Sequence, residues 1–367
     1  MRSAPQGSIP WAQGMVAYQL GTMMAGRNED LQASLALFPE VTPAPEAAGW
    51  MSLVFLAGVF ILDNLGRIPQ ATALAEPFLA LARQRGDQEP LARFWWNVSV
   101  GLRAAYAHDD PWNALVHSDA IQAICDLIGG DVIFLNMQLL RGMNQWYLGA
   151  LAPAVQLLQG IPAADTTLGQ VSSLRRLFLS WLYADRGALD EARALATQLS
   201  VSSRAHHDRL GEGRGRWVLA EVLRRMGHLE AAEREIQVAL GMIIPLEQPG
   251  ALATLSALRL AEGRAADALA AAEDALAREA AMGGCGMFRG AFVRLGHAEA
   301  LHATGAHDAA RRAIDAARAR LAAVAGRIAD PAYRRSFLED VPENARTLAL
   351  ADAWLGDPAS AHHDPPT

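Results

Sequence analysis

Turn-forming residues recur at positions 26, 66, 109, 149, 187, 227, 263 and 305, separated by 36 to 43 residues. That spacing constrains the fold more than any other feature of the chain. The turn residue is Gly throughout, except for Asp109. An apolar stretch precedes it, and a small residue follows five positions later. Small or apolar residues come four and seven positions after that. The cleanest copy is Leu219, Ala220, Leu223, Gly227, Ala232, Ile236 and Ala239. The copies turning at 187, 263 and 305 are plain, and those turning at 26, 66, 109 and 149 are weaker.

The signature describes a pair of antiparallel helices. Glycine suits the left-handed turn between them, where a Cβ would cost energy. Alanines on the second helix allow close approach, and apolar residues three and four apart give each helix a stripe to bury. One hairpin cannot bury that stripe alone, so hairpins must stack into a solenoid. After the last repeat, 330–356 reads as a cap of one or two helices. Asp330-Pro331 is a start signal, Pro342 a break, and Trp354-Leu355 a cover for the exposed end. The polar, Pro-rich 357–367 is expected to be a disordered tail.

Composition agrees with an all-α class and removes several functions. Hydrophobic residues make up 51% and charged residues 19%, which argues against disorder. All 32 basic residues are arginine. Without lysine there is no phosphate-binding loop of the GxxxxGK[ST] type, no kinase strand lysine and no Schiff-base chemistry. A net charge of −7 with no basic block gives no footprint for nucleic acid. Cys125 and Cys285 stand alone, which fits a reduced cytoplasm. The longest apolar run, 50–62, is too short to span a bilayer and reads as a core helix.

Motifs that could carry catalysis are each outweighed by a plainer reading. His297 and His302 in "HAEALH" are five apart, not on one face as a zincin requires. His206, His207 and Asp208 read as a helix start. The run 283–290, "GGCGMFRG", follows a helix and reads as a flexible hinge between repeats. No catalytic residue, cofactor or metal is expected.

The small residues at fixed places in a helix pair resemble the tetratricopeptide pattern. The repeat is about 40 residues long against 34 in the standard form. Longer helices absorb the difference, as in MalT-like superhelices. The opening "GSIPWAQGMVAYQLGTMMAGR" and the closing "RRSFLEDVPENARTLALA" also resemble the C-terminal tetratricopeptide region of bacterial serine/threonine kinases and STAND-type signalling ATPases. The resemblance implies a right-handed α-solenoid of about eight hairpins over 1–356 with a C-terminal capping helix. It further implies a regulatory region that either stands alone or belongs to a larger signalling enzyme.

In tetratricopeptide superhelices the first helix of each hairpin lines a concave groove. Counting back from each turn residue, the resemblance implies groove positions at Phe60, Asp63, Trp96, Arg103 and Tyr106. It continues with Asn136, Met143, Trp146 and Trp181, then Arg214, Trp217, Glu221 and Arg224, and ends with Glu299 and His302. The tryptophans fit a core between repeats equally well. Arg214, Glu221 and Arg224 share a face and are poor core residues, so they are the stronger candidates. The expected function is a non-catalytic, cytoplasmic binding scaffold of a bacterial signalling system. Its groove would recognise a protein or peptide partner, such as a signalling kinase or ATPase or its target. The alternative is a small-molecule sensor.

Overall fold

The computed structural model describes residues 4–25, 27–38, 41–42, 44–85, 89–128, 131–162, 169–282, 284, 286 and 288–356. Within them the chain is helical throughout. Eight hairpins follow in order: α1 (Ile9–Met24) with α2 (Asn28–Leu35), α3 (Ala48–Asn64) with α4 (Ile68–Arg85), α5 (Pro90–Tyr106) with α6 (Pro111–Ile128), and α7 (Asp131–Tyr147) with α8 (Leu151–Gln159). Then come α9 (Gly169–Asp185) with α10 (Leu189–Ala205), α11 (Arg209–Arg225) with α12 (Leu229–Leu240), α13 (Gln248–Ala261) with α14 (Ala265–Met282), and α15 (Gly290–Ala303) with α16 (His307–Arg327). The cap is α17 (Pro331–Glu339) and α18 (Pro342–Leu355). Position 26 and the tail 357–367 lie outside the described residues.

The repeat signature works as chemistry. At the α11–α12 turn, Gly227 has φ +82°. The His228 amide donates to the Leu223 carbonyl at 2.9 Å and the Gly227 amide to the Arg224 carbonyl at 3.0 Å. These two bonds satisfy carbonyls that the helix end leaves unpaired. Asp109, the one non-glycine of the series, also adopts a positive φ, of 52°. The small residues that follow, such as Ala232, Ala239, Ala268, Ala275 and Ala310, are buried. Asp330 caps α17, accepting from the amides of Ala332 and Tyr333 at 2.7 and 3.2 Å. The run 50–62 lies inside α3, and among the described residues no helix is long and apolar enough to cross a membrane.

First helices of successive hairpins pack side by side, α1 on α3, α3 on α5, α7 on α9, α9 on α11, and α13 on α15. They form the inner layer, and the second helices form the outer one. The superhelix also closes on itself. Asp109 pairs with Arg294 at 2.8 Å and Asp110 with Arg327 at 3.5 Å. The Ser336 hydroxyl donates to the Leu148 carbonyl at 2.7 Å. Leu115 and Leu148 share a core with Leu321, Val324, Phe337 and Val341. Hairpins three and four are thereby fastened to hairpin eight and the cap.

The expected hinge over 283–290 is corrected. Residues 283, 285 and 287, Cys285 among them, lie outside the described residues. The others are packed inward. Phe288 and Arg289 are buried, and the Tyr147 hydroxyl donates to the Gly286 carbonyl at 3.3 Å. A Cβ at Gly284 would collide with the Tyr106 carbonyl. Glycines serve close approach to the inner layer here, not flexibility.

Candidate functional site

The inner layer lines a partly open cavity of about 310 Å³. Helical periodicity builds its wall. On α5, Trp95, Val98, Leu102 and Tyr106 follow one another at spacings of three and four, which keeps them on one face. The stripe of Leu53, Leu56 and Phe60 does the same on α3. Val16 of α1 joins them, and α7, α9 and α11 supply the opposite wall.

Of the groove residues expected from sequence, Phe60, Tyr106, Asn136 and Arg214 line this cavity. Phe60 and Tyr106 pack ring to ring at 6.2 Å. The Tyr106 hydroxyl donates to the sulfur of Met143 at 3.3 Å, and burial pushes its phenol well above the usual range. Arg214 sends Nε and Nη2 to the same Glu247 oxygen, at 2.8 and 2.7 Å. Burial opposes the charge, but Glu247 outweighs it and raises Arg214 above an ordinary arginine. Asp208 also lines the cavity. It caps α11 by accepting from the Gly211 amide at 2.9 Å.

Asp63 and Arg103 pair with each other at 2.9 Å, and Arg103 also reaches the Thr72 hydroxyl at 3.0 Å. Burial raises the Asp63 carboxyl to about 6, and Arg103 opposes the shift without cancelling it. Trp96 lies one residue out of register. It packs edge-on against His117 at 5.4 Å, while its neighbour Trp95 faces the cavity.

Trp146, Trp181 and Trp217 are fully buried, which is the core placement that the sequence offered equally with a groove wall. Phe288 lies 6.1, 4.6 and 5.2 Å from their ring centres, so the chain's own segment closes the interior at that level. Arg289 lies 4.5 Å over the Trp146 ring. The indole nitrogens of Trp146 and Trp217 donate to Asp185 and Thr254, at 2.8 and 3.0 Å.

Glu221 and Arg224 belong to a buried chain of charges. Glu221 accepts from Arg224 and Arg225, each at 2.7 Å at its shortest. Burial works against its charge, but the two guanidiniums prevail and bring the carboxyl down to about 2. Arg225 reaches Asp185, Asp185 accepts from Arg289, and Arg289 meets Glu343 of α18. Burial holds the Glu343 carboxyl above the usual range. Three carboxylates thus balance three guanidiniums from the inner layer out to the cap. Glu299 and His302 also meet the cap: Glu299 pairs with Arg346 at 3.1 Å, and His302 stacks on Trp354 at 4.5 Å. The candidates that looked most available for a partner are satisfied internally.

Among the described residues no group of His, Cys, Asp and Glu is placed to hold a metal ion. The cavity wall offers apolar surface, the charge-neutralised Arg214, and polar side chains at Asn136, Ser173 and Asp208. Such a wall is suited to binding and orienting. Sequence reasoning missed Val16, Leu56, Trp95, Leu102 and Ser173, although the three-and-four stripe on α5 carries the signal for Trp95 and Leu102.

Neither a protein-family model nor a curated protein matches this sequence. Solved structures do match its shape. A Rap protein complexed with Competence and Sporulation Factor superposes with a TM-score of 0.61 at 10% identity, over 94% of this chain and 97% of that one. NprR in complex with its cognate peptide NprX gives 0.59 at 11% identity, over 94% and 98%. The Rap conjugation gene regulator of plasmid pLS20, in complex with the Phr* peptide, gives 0.57 at 12% identity, over 95% and 99%. At these identities the likeness establishes the fold: a tetratricopeptide-like α-solenoid.

Proposed function

We propose that the chain is a non-catalytic regulatory module of a bacterial signalling system, acting in the cytoplasm and recognising a protein or peptide partner on the inner face of its superhelix. The observation that carries this reading is convergence. Phe60, Tyr106, Asn136 and Arg214 come from four different hairpins and meet at one cavity. Three solved structures of like fold hold a signalling factor or a peptide, which supports the reading. A signalling kinase or ATPase, or its target, remains the class of partner favoured by the sequence resemblance.

The test is capture of a partner by the purified chain, with variants on the two faces. Asn136→Arg places a new cation at the cavity wall, and Val201→Asp alters an exposed position on the outer helix α10. Partner binding is expected to fall with Asn136→Arg and to survive Val201→Asp. The opposite pattern moves the partner to the outer layer and refutes the reading. The size of the cavity also favours a small-molecule effector, since about 300 Å³ is the lower end for pockets that enclose one.

A further inference from the structure

We propose that the cavity binds a neutral, apolar small molecule of roughly a dozen non-hydrogen atoms carrying one polar head, such as a medium-chain alcohol or ketone. This deepens the regulatory role proposed above by naming an effector for the same inner face, and it rests on that face being a recognition site.

Size gives the first argument. A dry apolar cavity of about 150 Å³ holds benzene, and this one is about 310 Å³. Charge gives the second. Arg214 is neutralised by Glu247, while the Asp208 carboxylate is hydrogen-bonded to the Gly211 amide in the α11 cap, so neither group is offered to an anionic head. An anionic ligand would lose its hydration without a matching partner. The distribution of polar groups gives the third. Asn136, Ser173 and Arg214 stand in the first two turns of α7, α9 and α11, and Asp208 is the α11 cap. The walls from α1 and α3, and most of that from α5, are aliphatic and aromatic. One polar end and one apolar body match an amphiphile.

The experiment uses the full chain and the neutral fluorophore 1-naphthylamine, which has about a dozen non-hydrogen atoms, displaced by 1-alkanols from hexanol to dodecanol. Potency should rise about fourfold per added methylene, then level off near decanol. Decanoate should bind about tenfold more weakly than decanol, or worse. Ala57→Trp fills the cavity from α3, and Leu174→Trp fills it from α9. Either variant should abolish displacement while keeping the helical circular dichroism of the parent, and if one fails to fold the other decides. The proposal is overturned if no alkanol displaces the probe, if potency ignores chain length, if decanoate equals decanol, or if a folded, filled variant still binds. Partner capture is read in parallel. A partner without alkanol binding sinks the effector alone, and alkanol binding without a partner sinks the protein-recognition role alone.

Discussion

Replacing Arg289 with methionine should strand the carboxylate of Glu343. Arg289 is buried between Asp185 and Glu343 and lies over the Trp146 ring. When the guanidinium goes, Asp185 keeps Arg225 and the Trp146 indole N–H. Glu343 loses its ion-pair partner among the described residues. Breaking a buried pair from one side costs about 3–5 kcal/mol, and losing the cation above the indole adds about 1 kcal/mol. Methionine packing offsets part of this, which leaves a net cost of about 4 kcal/mol at pH 7. The cost should depend on pH in a particular direction. Burial already raises the Glu343 carboxyl, and without Arg289 it rises further. The folded variant then takes up a proton more readily than the folded parent, so the cost shrinks as pH falls through the window between their two Glu343 titrations. The cost should therefore be smaller at pH 5 than at pH 7. Adding Glu343→Gln should recover part of the cost at pH 7 and remove the pH dependence that Glu343 contributes. Urea unfolding followed by tryptophan fluorescence measures all three variants. A cost for Arg289→Met below about 1 kcal/mol, or one equal at both pH values, would refute the account of a balanced charge chain.

Asp63 gives a second pH test. Its folded carboxyl titrates near 6, against 3.8 for the free group, so the folded state holds the proton more tightly. This contribution is present below pH 4 and is lost as pH rises through 6, a change of about 3 kcal/mol. Asp63→Asn should flatten the stability curve across pH 4–6, and an unchanged slope counts against the burial of Asp63 as its source. The turn glycines offer a graded comparison. Gly187→Ala meets only the cost of a positive φ, because nothing lies within 4 Å of its Cβ, and should lower stability by about 1 kcal/mol. Gly149→Ala meets the same φ penalty and also the Ser336 carbonyl of the cap. It should cost clearly more and expose 331–355 to protease, and equal melting temperatures for the two variants would show that the cap does not press on that turn.

The solenoid was legible because its signals are local. A glycine at φ near +80° and an alanine five residues later belong to one hairpin, and each states its role without knowledge of the rest. The inner face was legible only in part. Counting back from the turn reached Phe60, Tyr106, Asn136 and Arg214 but landed on Trp96 instead of Trp95, an error of one residue and about 100° on the helix. Arg214, Glu221 and Arg224 looked too polar for an interior. Arg214 is explained by Glu247, 33 residues away, a separation at which a single sequence does not reveal a pair. Glu221 and Arg224 pair with each other three residues apart, and what the sequence hid was their burial, with Asp185 and Arg289 joined across 104 positions beside them. The inward packing of Phe288 was hidden for a similar reason, since a lone aromatic in a glycine-rich run looks like a linker until three tryptophans gather round it.

The fastening of hairpins three and four to hairpin eight and the cap has a consequence for how this fold can change. An open repeat array behaves as a one-dimensional chain of neighbours, in which modules can be added, lost or melted one at a time. Here Asp109 meets Arg294 across 185 positions and Leu148 meets Ser336 across 188. Inserting or deleting one hairpin between them would carry each contact past its partner by a full repeat. The number of repeats is therefore fixed by ring-like closure, and the two halves of the chain are bound to melt as one cooperative unit instead of fraying from an end.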